Sequence, residues 1–266
     1  MRIICFAKQV PDPEVPAASF KIDPATNKAA PVAGVAPVVN GFDLNAIEAA
    51  LRLKEKHSAT VTVISLGKNL VQDVIKKPLS MGCDELILLQ DDAFEDGDAA
   101  SIAEALALAV KKAGQFDLIL CGRQASDTDR GQVGPAVAEL LGLPCVTLAK
   151  GVETADGKVK VERVLADGTE VVEAPLPALV TVSNELGEPR YPTLRGIMTA
   201  GRKTPTVWTA ADIGADPGKV GAKGRTVSTV KLFIPQVQKN CELIAGENGA
   251  DAGRKLALRL REVKLI

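Results

Sequence analysis

The sequence predicts an α/β protein built on an open, mostly parallel sheet, and three observations carry that expectation. Short runs rich in Ile, Val and Leu lack the strict alternation of half-exposed strands, as expected of strands covered on both faces. Helical patterns separate those runs over residues 1–148, the alternation that parallel pairing requires. The chain, at 266 residues and 46% hydrophobic, can bury one large core or two small ones. In such a sheet, ligands gather at the carboxyl ends of the strands.

The expected strands are Arg2 to Lys8, Thr60 to Leu66, Glu85 to Gln90 and Asp117 to Cys121. Between the first two, Asp43 to His57 aligns Leu44, Ile47 and Leu51 on one stripe and pairs Glu48 with Arg52 at i,i+4. Asn69 to Met81 reads as a helix kinked at Pro78. Asp98 to Ala113 reads as another, capped by Asp98, with Ile102, Leu106 and Val110 facing inward. After Pro144, Lys158 to Leu165 and Glu170 to Ala174 alternate around Ala166-Asp167-Gly168-Thr169, the pattern of a β-hairpin, and Ala178 to Val182 adds a buried strand. Gly214 to Arg225 reads as a linker or arm, Thr226 to Phe233 as a short strand. A last helix, Asp251 to Val263, carries an apolar stripe of Leu256, Leu260 and Val263 that has to dock on something, and a partner subunit is the favoured choice.

Composition narrows the function. With 32 basic and 33 acidic side chains, and no basic patch interleaved with aromatics, the chain has no electrostatic footprint for nucleic acid. It has one His (His57), one Trp and one Tyr (Tyr191), so the usual acid–base and stacking residues are nearly absent and its chemistry is expected to be borrowed. His57 ends a charged helix and complements its dipole. Cys5, Cys83, Cys121, Cys145 and Cys241 are scattered, which argues for reduced thiols over a metal cage or a disulfide framework. The apolar run Ile3 to Ala7 meets Lys8 too soon for a signal peptide or a membrane span, so the first strand is expected to be cytoplasmic.

Neither G-x-G-x-x-G nor G-x-x-x-x-G-K-[ST] occurs. In their place the loop Gly122 to Pro135 follows the fourth strand and opens into a helix to Leu141. Its glycines and Pro135 suit an anion site at a helix start, with Arg130 assisting, though an ordinary solvated βα loop fits the composition equally well. Asp127 and Asp129 admit a Mg2+ or phosphoaspartate reading, with a solvated or capping role favoured. The acidic run from Asp91 to Asp98 reads as an exposed loop. Asn40-Gly41-Phe42-Asp43 opens the first helix beside the carboxyl ends of the strands, where Phe42 is either a core staple or a stacking surface. Ser183 to Pro192 mixes prolines, charges, the only Tyr and an apolar Leu186, a composition suited to protein docking or to a plain surface connection.

Taken in order, Lys8-Gln9-Val10-Pro11-Asp12, Asn40-Gly41-Phe42-Asp43, the Gly122 to Pro135 loop, Pro177-Ala178-Leu179-Val180-Thr181 and Leu186-Gly187-Glu188-Pro189-Arg190-Tyr191 resemble the β subunit of electron-transfer flavoproteins. The resemblance spans essentially the whole chain. It implies a heterodimer in which an α subunit holds most of an FAD, while this chain contributes a Rossmann-like, adenine-nucleotide-binding domain (1–213) that takes AMP. A C-terminal arm (214–266) would embrace the partner. By the same resemblance the nucleotide site comprises Phe6, Asn40, Gly41, Phe42, Asp43, Leu66, Gly122, Arg123, Gln124, Ala125, Ser126, Asp127, Thr128, Asp129, Arg130, Gly131, Gln132 and Val133, with Phe42 approaching the flavin ring. Segment 183–203 would recognise flavin dehydrogenases such as acyl-CoA dehydrogenases through Glu185, Leu186, Gly187, Glu188, Pro189, Arg190 and Tyr191, with Leu186 as the anchor.

The implied function is to accept electrons from such dehydrogenases through FAD and pass them to a quinone-linked or other acceptor, with no catalytic side chain and no metal in this subunit. Two departures bear on the subtype. Gly131 and Val133 stand where AMP-binding members often carry Asn and Thr, and Gln132-Val133-Gly134-Pro135 is closer to electron-bifurcating members, which hold a second FAD there and react it with NADH. Thr128-Asp129-Arg130-Gly131 matches neither pattern. Rival readings are a nucleotide-binding regulatory module similar to universal-stress-type proteins and a Mg2+-dependent phosphotransferase using Asp127 and Asp129.

Overall fold

A computed structural model describes residues 1–235 and 241–266, which fall into two compact units, Met1–Val230 and Lys231–Ile266. In the first unit the expected alternation is present. Its elements are β1 (Arg2–Phe6), α1 (Gly41–His57), β2 (Thr60–Leu66), α2 (Gln72–Ile75), α3 (Lys77–Met81), β3 (Glu85–Leu89), α4 (Ala99–Ala113), β4 (Leu118–Gly122) and α5 (Val133–Leu141). After these come β5 (Cys145–Ala155), β6 (Lys158–Leu165), β7 (Gly168–Pro175), β8 (Ala178–Val182), α6 (Leu194–Arg202), β9 (Thr206–Trp208) and α7 (Gly221–Gly224).

The nine-stranded sheet runs β7-β6-β5-β8-β4-β1-β2-β3-β9, parallel from β5 through β8 to β9, with β5-β6-β7 an antiparallel meander at one edge. The central strands are apolar throughout because both faces are covered. Ile3, Cys5, Val61 and Val63 pack on one side with α1, while Ile4, Ile64, Ile119 and Leu179 pack on the other with α4 and α5. The chain fills the β1-β2-β3 side first and then crosses by α4 to β4, on the opposite flank of β1. That reversal between β1 and β4 leaves a crevice above their carboxyl ends.

Several expectations need correction. Pro78 does not kink one long helix: it lies in the first turn of α3, where its missing N–H costs nothing, and the segment splits into two short helices. The single hairpin is a meander, since Asp156 (φ 51) and Gly157 (φ 73) form the left-handed pair of a tight turn joining β5 to β6. The β6–β7 turn is also tighter than expected, with Leu165 opposite Gly168. Residues 214–225 are not a free linker, because Val220 is buried against the α4 side of the core and Gly221 is buried beside it in sequence. Thr226 to Phe233 forms no strand.

The second unit contains α8 (Gly249–Glu262), capped by Asn248, whose side chain accepts from the Asp251 N–H. Leu256, Leu258 and Val263 are exposed on it. Among the described residues no helix is long and apolar enough to cross a membrane.

Candidate functional site

The crevice at the β1/β4 reversal is a cavity of about 370 Å³, within the size range of small-ligand sites. Its floor is fixed by the first turn of α1. Asn40, almost fully buried, donates from Nδ2 to the Gln124 carbonyl (2.8 Å) and accepts from the Ser126 N–H (3.2 Å). Asp43, also buried, accepts from the N–H of Lys8 (2.8 Å) and of Gly122 (2.9 Å), one on each oxygen, and so ties the ends of β1 and β4 together. Burial pushes its carboxyl up to about 6, against the pull of those N–H groups.

The far wall is the loop after β4 and the start of α5. Gly131 adopts a left-handed conformation (φ 61), and Gly134 is pressed against the sheet so closely that a Cβ would lie 2.8 Å from Cys121 Sγ. Pro135 occupies the first turn of α5. The early N–H groups of a helix have no partner four residues back, and they lie at the positive end of its dipole. Arg123, Arg130 and Lys8 line the same cavity, while Phe6, Ile64, Leu66, Ile102 and Leu106 supply an apolar surface. A lining that combines cationic groups, a helix start and apolar side chains can hold a molecule that is part anionic and part apolar.

Most of the expected nucleotide residues meet here: Phe6, Asn40, Asp43, Leu66, Gly122, Arg123, Gln124, Ala125, Thr128, Arg130, Gly131, Gln132 and Val133 line the cavity. Gly41, Phe42, Ser126, Asp127 and Asp129 do not. Phe42 instead lies under the Arg123 guanidinium, 5.2 Å from its ring centre. Asp127 pairs with Lys8 Nζ (2.6 Å), and Asp129 accepts from Gln124 Nε2 (2.9 Å), so the first carboxylate ties the loop to the segment after β1 and the second ties the loop to itself. Sequence reading misses Lys8, Gly97, Asp98, Ala99, Ile102 and Thr229, which also line the cavity. The available signal is the Asp98 cap, since a helix that follows a parallel strand starts at the ligand end of the sheet.

Segment 183–203 differs from expectation at its anchor. Leu186 is 8% exposed and packs into the α1 side of the core, so it is not an exposed tip. A single helical turn, Asn184–Leu186, folds it under, while Asn45 Nδ2 donates to the Gly187 carbonyl (2.7 Å). Arg190 is likewise turned inward: its Nε donates to buried Glu48 (2.8 Å) and its Nη1 to Glu55. Burial raises the Glu48 carboxyl, yet Arg190 and Arg52 outweigh it and hold the group below its ordinary value. The exposed apolar side chains follow: Tyr191 at 88%, Leu194 at 76% and Met198 at 57%.

A model of the electron transfer flavoprotein domain matches residues 33–213. The chain belongs to this family. It is 39% identical, over the full length of both chains, to an electron transfer flavoprotein subunit beta of Thermoanaerobacterium thermosaccharolyticum. Over the same span it is 37% identical to the Caffeyl-CoA reductase-Etf complex subunit CarD of Acetobacterium woodii. Protein FixA of Azorhizobium caulinodans is 35% identical over 90% of this chain and 86% of its own. The family match covers α1, the Gly122–Val133 loop and segment 183–203, and so most of the cavity lining and the exposed apolar face, while Phe6, Ala7, Lys8 and Thr229 of the lining lie outside it.

Proposed function

We propose that this chain is the nucleotide-holding β subunit of a heterodimeric electron carrier. Through an FAD held mainly by an α subunit, the heterodimer takes electrons from flavin dehydrogenases such as acyl-CoA dehydrogenases and passes them to a quinone-linked or other acceptor. The observation that carries this reading is the cavity itself, lined by Lys8, Arg123, Arg130 and the start of α5 together with apolar Phe6, Leu66, Ile102 and Leu106. AMP is the occupant proposed: its phosphate would meet the start of α5 and Arg130, its base the apolar wall of Leu66, Ile102 and Leu106. FAD, when bound, supplies the redox chemistry. The residues of this chain orient the cofactors and choose the partner, and none has to act as a general acid or base.

A second reading, a second FAD in the same cavity that oxidises NADH, is favoured by Gln132-Val133-Gly134-Pro135 and by the full-length similarity to a subunit of a reductase complex. Counting flavins separates the two.

Docking is assigned to the exposed face of α6 in place of Leu186. Thr193 caps this helix by accepting from the Gly196 N–H (3.0 Å), and the cap sets Leu194 outward beside Tyr191 and Met198. Burying a Leu side chain in a partner contributes about 1.5–3 kcal/mol. Leu194→Ala should therefore slow flavin reduction by an acyl-CoA dehydrogenase, at limiting dehydrogenase, by about tenfold or more, with FAD content unchanged. Unaltered transfer kinetics would rule out this docking face.

A further inference from the structure

After α7 the chain crosses the amino end of α4 as a strap, Thr226 to Thr229, that is itself neither strand nor helix. One carboxylate fastens its first two residues. Asp98 Oδ1 accepts from the Ser101 N–H (3.0 Å), the ordinary cap of α4. Asp98 Oδ2 accepts from the Thr226 N–H (2.6 Å), the Thr226 hydroxyl (2.9 Å) and the Val227 N–H (2.9 Å). Burial alone would raise this carboxyl, but the N–H groups of Ser101, Thr226 and Val227 prevail and hold it well below the usual carboxylate range. Asp98 is therefore a fixed anion at neutral pH.

Asp98 and Thr229 both line the cavity, as do Arg130 and the start of α5. The two helix starts thus differ in charge, with Asp98 capping α4 and Arg130 preceding α5. A buried anion beside Ile102 and Leu106 disfavours phosphate and suits an uncharged base and sugar, whereas the α5 end favours phosphate. Among the described residues the strap belongs to no strand or helix, and the bonds that hold it include the three to Asp98 Oδ2 and one from the Asn27 side chain, which reaches the Thr229 carbonyl (3.5 Å).

We propose that the Thr226–Thr229 strap is the releasable wall of the nucleotide cavity and that Asp98 is the positioning residue that latches it over the nucleoside portion of the ligand. This rests on the nucleotide reading given above. Asp98→Asn separates the two roles of the side chain. Asn is as good a helix cap as Asp, so its carbonyl oxygen keeps the Ser101 bond, but its NH2 then faces the N–H donors of Thr226 and Val227 and cannot accept from them.

The experiment uses the full chain co-purified with an α subunit, loaded with labelled AMP or adenosine, and follows ligand dissociation together with hydrogen exchange of the strap amides. Asp98→Asn should speed exchange at Thr226–Thr229 and release both AMP and adenosine about tenfold faster, with the melting temperature little changed. The equal effect on adenosine marks an action on the nucleoside end; a general loosening of the fold would instead lower the melting temperature and speed exchange throughout. Thr226→Val, which removes only the hydroxyl bond, should act in the same direction more weakly and serves if the first variant does not fold. Release rates within twofold of the native complex while the strap amides exchange freely would overturn the proposal, as would unchanged strap exchange. If the native complex holds neither ligand, the nucleotide reading fails instead, and the strap is then not a wall for it.

Discussion

Gly122→Ala is expected to unseat the floor of the cavity. A Cβ at this position would lie 2.6 Å from Asp43 Oδ1 and 2.7 Å from both the backbone carbon and the Cβ of Phe42. Those neighbours are the first turn of α1, so relief requires moving a helix, and the Asp43 bonds to Lys8 and Gly122 are strained or broken with it. Overpacking of this kind costs about 3 kcal/mol, and here the cost falls on the residues that line the cavity. Denaturant unfolding should give that loss of stability together with loss of bound nucleotide. A variant of native stability that keeps its nucleotide would show that α1 and β4 do not need their close approach.

The second large effect is expected at Arg190. Its side chain and N–H engage Glu48, which is 5% exposed, and its guanidinium also reaches Glu55. Arg190→Ala leaves a buried carboxylate with Arg52 as its remaining charged partner, which costs about 2–3 kcal/mol. It also frees residues 187–190 from α1, so the start of α6 loses its fixed position. Reduction by an acyl-CoA dehydrogenase should then need a higher partner concentration, with little change at saturation. Arg190→Lys should recover only part of both losses, because an ammonium cannot fork between two carboxylates. Equal stability and equal partner dependence in Arg190→Ala would remove Arg190 from the bracing of this segment.

These two sites show how far the sequence can be read. Strands Thr60–Leu66 and Ala178–Val182 have the expected bounds, because continuous β-branched runs have few alternatives to a sheet covered on both faces. The cavity is legible through glycines and a proline at a helix start, which are local signals. What escapes is non-local. Leu186 reads as an exposed aliphatic on a polar loop, and only the tertiary contacts of Asn45, Arg52 and Glu48 with residues 186–190 turn it inward. The β-branched residues after Arg225 read as a strand, yet the Asp98 carboxylate takes the N–H groups that a neighbouring strand would have paired. Strand β5 escapes although Asp156-Gly157 is a strong turn signal, because a register shift opposite Glu162 and Arg163 breaks its alternation.

The scarcity of His fits a subunit whose chemistry resides in bound cofactors, and the structure adds the physical counterpart: the ionisable groups around the cavity are largely engaged in holding it together. Asp43 joins two strand ends, Asp98 caps and latches, and Asp127 pairs with Lys8. The most direct test is a count of nucleotides released on denaturing this chain purified with its α subunit. One FAD and one AMP per heterodimer is the expected result. A complex that releases no adenine nucleotide beyond a single FAD, or a colourless homodimer that needs no α subunit, would contradict the assignment of this cavity and of the chain as the nucleotide-holding subunit.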